Sequence, residues 1–277
     1  MESITNTAET CKEGDVQAKE HNLHYLEWGE GGEDIIFLHG LADILWAHSF
    51  DPFCASLSGD YHIIAFDLLG HGDSDDPKKP IGYEEHADII REGAQKLGLT
   101  KYVLWGYSFG GRVSMFYADK YPEEVTKFIL VDIAPETHID PKPVDVDLNI
   151  PYSFADEDEA LDWLISRYPG TQKETARHRI DIFFRRGSDG RLYLPSHSSR
   201  KENLRRSGDG WSVFGGLKMP ILLIRGSESP YTTDDLASRM KEVKPDLIVK
   251  TIQGAGHSVP FSHSEEFMDA VREFLIE

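Results

Sequence analysis

Basic charge is what this chain most plainly lacks. Its 277 residues carry 29 Lys and Arg against 48 Asp and Glu, a formal net charge of −19. So acidic a surface repels phosphate backbones and anionic membrane faces, so neither nucleic acid nor membrane is an expected partner. Cysteine is scarce too. Cys11 and Cys54 are the two present, and no Cys-x-x-Cys spacing exists, which argues against a zinc ribbon or a redox dithiol. A single bridge between them stays open; two free thiols in a reducing compartment is the simpler reading. Long apolar runs are missing: none approaches the roughly 18 residues that suggest a membrane span. The opening residues MESITNTAETCKEGD have neither a basic start nor an apolar stretch, so they do not read as a secretory signal. The expectation is a soluble, cytoplasmic protein, a monomer or small homo-oligomer.

What is there suits a large α/β domain with an insertion. Apolar residues make up 40% of the chain, enough for a sizeable core. Short runs rich in Ile, Val and aromatics predict strands at Leu23–Trp28, Asp34–Leu38, Tyr61–Phe66, Tyr102–Trp105, Phe128–Val131, Ile221–Ile224 and Leu247–Ile252. Several are nearly continuous in hydrophobicity, the pattern of strands buried on both faces. Helical periodicity falls between them, at Tyr83–Leu97, Phe109–Tyr121, Thr232–Val243 and Ser264–Ile276. The alternation predicts a mostly parallel central sheet with helices on both faces. It breaks between about Glu136 and Gly216, where prolines and acidic residues precede two amphipathic stretches, Glu157–Tyr168 and Gln172–Arg185. The predicted organisation is a core over 15–135 and 217–277, an inserted helical cap over 136–216, and a flexible segment over 1–14.

Gly106-Tyr107-Ser108-Phe109-Gly110-Gly111 follows a predicted strand and opens a predicted helix. In that setting Gly-x-Ser-x-Gly is a nucleophile elbow. The tight turn leaves no room for side chains two residues either side of the serine, so both positions are glycine. Ser108 is the candidate nucleophile. The strand Ile35–Leu38 ends in His39-Gly40-Leu41, and the backbone N–H groups of Leu41 and Phe109 are the expected oxyanion-hole donors. Such a donor is worth about 3–4 kcal/mol in the transition state. His39 itself is expected to bind loop backbone rather than substrate. His257, in Gly254-Ala255-Gly256-His257 after the last strand, is the candidate general base.

With Asp67-Leu68-Leu69-Gly70-His71-Gly72-Asp73-Ser74, these motifs make the chain resemble the α/β-hydrolase superfamily from about Leu23 to its C-terminus. The resemblance implies the α/β-hydrolase fold, no metal or organic cofactor, and a structural role for the Asp67–Ser74 loop. It also sets the chain apart from the haloalkane dehalogenases and epoxide hydrolases of this fold, which carry aspartate where Ser108 stands. The acid departs from the family pattern. The usual aspartate position after the penultimate strand, in Arg225-Gly226-Ser227-Glu228-Ser229-Pro230-Tyr231, holds Ser229. Two carboxylates compete for the role. Asp132, in Val131-Asp132-Ile133-Ala134-Pro135, resembles the acid of an esterase subgroup that also carries a Ser-Pro-Tyr turn, and is preferred; Glu228 is the alternative.

Trp46, Tyr107, Trp163, Phe183 and Phe184 are candidates to line the substrate pocket beneath the cap. The expected activity is carboxylesterase-type hydrolysis of small to medium neutral acyl esters, with a small-molecule ester as partner. Lactone, thioester or C–C bond hydrolysis and perhydrolysis on the same residues are the alternatives. A ligand-binding receptor on a hydrolase scaffold is a third reading, which an intact serine and histidine argue against.

Overall fold

The computed structural model describes residues 11–41, 46–136, 153–167, 184–193 and 210–277, together with Lys173, Ala176, Arg177 and Ile180. Its strands are β1 (Lys12–Ala18), β2 (His21–Trp28), β3 (Glu33–Leu38), β4 (Tyr61–Phe66), β5 (Tyr102–Tyr107), β6 (Val125–Val131), β7 (Ser153–Phe154), β8 (Arg185–Arg186), β9 (Leu192–Tyr193), β10 (Ile221–Gly226) and β11 (Ile248–Ile252). The helices are α1 (Asp51–Ala55), α2 (Tyr83–Lys96), α3 (Phe109–Lys120), α4 (Glu157–Arg167), α5 (Gly210–Gly216), α6 (Asp234–Val243), α7 (Val259–Ser262) and α8 (Ser264–Ile276).

Eight strands form one sheet in the order β1-β2-β4-β3-β5-β6-β10-β11. β1 and β2 pair antiparallel, as do β2 and β4, and every later pairing is parallel. Side chains alternate between two apolar layers. Ile36, Leu38, Leu104, Leu130 and Leu223 face the layer that includes Ile90, Val113 and Met240 from α2, α3 and α6. Ile35, Phe37, Trp105, Ile129 and Leu222 face the layer built with Phe53 and Phe267. Both layers exclude water, which explains why the central strands read as unbroken hydrophobic runs. The chain winds from β3 out to β4, then crosses back to β5 on the other side. That reversal falls at the C-terminal ends of β3 and β5, the place where open α/β sheets bind ligands.

Several expectations need correction. The segment taken as flexible through residue 14 enters β1 at Lys12, whose Lys12–Ala18 span pairs residue by residue with β2. β1 is a polar edge strand with few buried side chains, so hydrophobic pattern alone does not reveal it. Arg185, the last residue of the amphipathic stretch Gln172–Arg185, lies in strand β8. α5 falls within the span assigned to the cap, yet Phe214 packs into the core layer with α3. Within the span expected to form the cap, β7, β9 and β8 form a separate three-stranded sheet. Phe154, Leu161, Leu164, Phe184 and Leu192 gather there around Trp46. Cys11 and Cys54 are both free thiols. Burial pushes the Cys54 thiol well above its ordinary value, and burial with the nearby Asp51 charge pushes Cys11 up to about 11.

Candidate active site

Ser108 stands between β5 and α3 with φ +52° and ψ −113°, a strained conformation for a residue with a side chain. Its N–H bonds the Val131 carbonyl at 2.9 Å and its carbonyl accepts from Arg112 at 3.1 Å, so the strain is held from both sides. The flanking glycines have steric causes. A Cβ on Gly106 would stand 2.5 Å from the Gly111 Cα, and one on Gly110 would stand 2.2 Å from the Leu38 carbonyl oxygen.

His257 arrives on the loop after β11. Its Nε2 is 3.0 Å from Ser108 Oγ and its Nδ1 is 2.6 Å from Asp132 Oδ2. A carboxylate oxygen only accepts, so Nδ1 carries the proton and Nε2 is left to accept from the serine hydroxyl. Asp132 follows β6 in the left-handed region, φ +47°, and is fully buried. Three donors converge on it: Gly226 N–H on Oδ1 at 3.2 Å, and Ser229 Oγ–H at 2.5 Å and His257 Nδ1–H on Oδ2. Buried carboxylates persist only when their lone pairs are met in this way. Glu228 does not join them. Its side chain is exposed, and its backbone N–H bonds the Ala255 carbonyl at 2.9 Å.

The oxyanion strand and the elbow are joined by the Gly110 N–H, which donates to the His39 carbonyl at 3.0 Å. Phe109 begins α3, so its own N–H has no acceptor within the helix. Leu41 lies just beyond Gly40, whose Cα hydrogens face Tyr107 and the Ser108 Cβ; an added Cβ would meet them at 2.9 and 3.3 Å. His39 is buried and its ring binds loop backbone: Nε2 accepts the Leu68 N–H at 3.0 Å, which leaves Nδ1–H to donate to the Gly40 carbonyl at 2.8 Å.

The Asp67–Ser74 loop is built around one carboxylate. Asp67 accepts from His24 Nδ1, from the Ala47 N–H and from the Asp73 N–H, and Ser74 Oγ donates to its carbonyl. Burial opposes its ionisation, yet the His24 imidazole, the nearby His39 and the Ala47 N–H hold it below the usual carboxylate range. His24, Asp67 and Asp73 lie close enough to hold a metal ion, but Asp67 already has its hydrogen bonds within the fold.

Of the candidate pocket residues, Tyr107 lies beside the site: its ring centroid is 5.3 Å from that of His257 and its hydroxyl donates to the His257 carbonyl at 3.2 Å. Trp46 is buried in one apolar cluster with Phe154, Leu161 and Leu192. Phe184 and the half-buried Trp163 belong to that same cluster, each against Phe154, with ring centroids 5.2 and 5.3 Å away. Phe183 lies outside the described residues. Two neighbours of the site were not singled out from sequence as site residues, Ser229 and Tyr231. The sequence signal for both is the Ser-Pro-Tyr turn, which marks the resemblance to the esterase subgroup; the hydroxyl and the ring it supplies emerge only in the fold.

A strand-edge serine hydrogen-bonded to a carboxylate-backed imidazole belongs to a hydrolase built on a parallel sheet. A model of the alpha/beta hydrolase fold family matches residues 35–264, and the chain belongs to that family. It is similar to 2-(acetamidomethylene)succinate hydrolase of Mesorhizobium japonicum, 26% identical over 258 residues that cover 91% of each chain. A crystal structure of E-2-(acetamidomethylene)succinate hydrolase superposes with a TM-score of 0.86 at 26% identity, over 97% of this chain and all of the other. An esterase of Mycobacterium tuberculosis is 27% identical over 266 residues, 90% of this chain and 85% of the esterase. Among the described residues no helix is long and apolar enough to cross a membrane.

Proposed function

We propose that the protein is a serine carboxylesterase that cleaves small to medium neutral acyl esters. The observation that carries the reading is the relay from Ser108 Oγ to His257 Nε2 at 3.0 Å and from His257 Nδ1 to Asp132 Oδ2 at 2.6 Å. Ser108 Oγ attacks the ester carbonyl carbon while its proton passes to His257 Nε2. The negative charge on the carbonyl oxygen is met by the N–H groups of Leu41 and Phe109. The tetrahedral intermediate collapses, the alkoxide leaves with the proton from Nε2, and an acyl-enzyme remains on Ser108. Water enters, gives a proton to Nε2 and attacks the acyl carbon; the acid departs and Oγ recovers its proton. Asp132 keeps Nδ1–H pointed at itself and stabilises the imidazolium in both halves. The insertion, with its own apolar cluster, roofs the site and selects the acyl group.

The kinship with 2-(acetamidomethylene)succinate hydrolase favours a second reading, in which the same residues hydrolyse a different bond. A panel of p-nitrophenyl esters of rising acyl length, run beside Ser108→Ala, tests the first. The expected result is turnover that depends on acyl length and is lost in Ser108→Ala. Equal hydrolysis by both proteins would remove Ser108 from the chemistry, and silence on every ester with intact protein would pass the case to the second reading.

A further inference from the structure

We propose that the cavity between α6 and the β10–β11 edge of the sheet is a second binding site, which takes a small monocarboxylate on the Arg225 guanidinium. β10 and β11 run parallel, with Arg225 opposite Thr251. Side chains alternate along a strand, so Arg225 leaves the sheet on the same side as Leu223, toward α6. Asp234, Ser238 and Lys241 recur at helical spacing and present one face of α6 to it. Together with Val249 of β11 they line an open cavity of about 620 Å³, within the size range of small-molecule sites. None of its lining residues belongs to the Ser108–His257–Asp132 set.

Arg225 is 3% exposed, and only part of its guanidinium has a partner. Nη1 reaches Asp234 Oδ1 at 2.5 Å. Nε and Nη2, both buried, find no acceptor among the described residues. These two nitrogens share one edge of the planar group, the edge that receives both oxygens of a carboxylate at once. Buried donors without acceptors are costly, so this fork is a feature that a ligand would satisfy. Asp234 is the way in. Its side chain is 87% exposed, so it can turn to water and give up its place to an incoming carboxylate at little cost. Charge then sets the ligand class. With Asp234 turned away, Arg225 and Lys241 face the single carboxylate of Glu242, and one positive charge is left to match. A phosphate dianion overshoots that charge and a neutral ligand leaves it unmet. Lys241 Nζ donates to the Leu247 carbonyl, which anchors its charge beside the cavity. Val249, packed against the core, offers an apolar wall for a short aliphatic chain.

Sodium butyrate is titrated into the full-length protein by isothermal calorimetry at constant ionic strength, beside Arg225→Gln, Ser238→Trp and Asp234→Asn, with circular dichroism to confirm that each is folded. Wild type is expected to show one saturable site. Arg225→Gln is expected to weaken it about tenfold or more. Ser238→Trp, which fills the cavity from the helix side, is expected to do the same. Asp234→Asn removes the competing carboxylate and is expected to tighten binding by about fivefold. Should Arg225→Gln fail to fold, the opposed shifts of Ser238→Trp and Asp234→Asn decide the matter. Absence of saturable binding to wild type overturns the proposal. So does a folded Ser238→Trp that binds like wild type, because the butyrate then sits elsewhere, the active site included. Inorganic phosphate that binds more tightly than butyrate in the same titration overturns the carboxylate assignment.

Discussion

Gly226 gives its backbone N–H to Oδ1 of Asp132, joining the tip of β10 to the tip of β6 and leaving Oδ2 to face His257. In Asp132→Asn the amide oxygen is expected to keep the Gly226 bond, which turns the NH2 toward Nδ1 and the Ser229 hydroxyl. Two donors then confront each other, and the imidazole answers by moving its proton to Nε2. Serine loses its acceptor. The expected loss in kcat is about 10³–10⁴-fold with the melting temperature largely held. Glu228→Gln, an exposed side chain outside the hydrogen-bond set, is expected to stay within about twofold of wild type. The reverse pattern, measured on any turned-over ester, would return the acid to Glu228.

Gly226 has a second duty, which is steric. A Cβ there would stand 2.2 Å from the Ala255 carbonyl oxygen and 2.4 Å from that of Gly256, both in the loop that delivers His257. Gly226→Ala is therefore expected to push the loop off the turn and lower kcat by about a hundredfold. Gly256→Ala, whose Cβ would meet no atom within 4 Å, serves as the control and is expected to change turnover by no more than about twofold. Equal activity of both variants would show that the close approach of loop and turn does not matter.

His86 predicts a pH effect on stability rather than on turnover. It is buried on α2 with its ring 5.4 Å from that of Phe109. Burial, reinforced by the His39 and His21 imidazoles, lowers its pKa from 6.5 to about 3. Between those values the unfolded chain binds a proton that the folded chain refuses, so stability falls as the pH drops below about 6.5. At pH 5 the loss attributable to this one group is up to about 2 kcal/mol. Melting temperatures of wild type and His86→Leu at pH 7.5 and pH 5 read the difference. The variant is expected to lose less on acidification, and an equal drop in both would exclude His86 as a source of acid sensitivity.

Much of the site was legible because its residues are set by crowding. Gly106 and Gly110 stand where a Cβ would strike backbone, and that constraint leaves a readable spacing around Ser108. His257 was legible through the glycines of its loop, of which Gly254 answers to a left-handed φ of +74° rather than to crowding. The parallel strands announced themselves by burial on both faces. β1 did not, because an edge strand needs only one buried side and KEGDVQA has little apolar content. Ser229 is only half legible. A hydroxyl cannot carry charge, so sequence treats it as an absence; in the fold it is a donor aimed at a charge supplied from elsewhere. The pocket candidates fared unevenly, since an aromatic that lines a cavity and one that fills the interior of an insertion look alike in a string of letters. Phe184 is of the second kind, buried against Phe154.

Ser108 and Asp132 belong to a single strand–helix–strand unit, β5–α3–β6, at the end of its first strand and just past its second, whereas His257 reaches them across most of the remaining chain. The contacts that bring nucleophile and acid together are therefore short-range and cheap in loop-closure entropy, while the base arrives through long-range pairing. During synthesis the serine and its acid can reach neighbouring strand tips while the C-terminal strands, which bring the Gly226 and Ser229 donors to Asp132, are still being made. The proton acceptor comes last. A partly made chain thus holds the parts of a nucleophile but cannot activate it, and hydrolytic competence becomes a report that the final strand has docked.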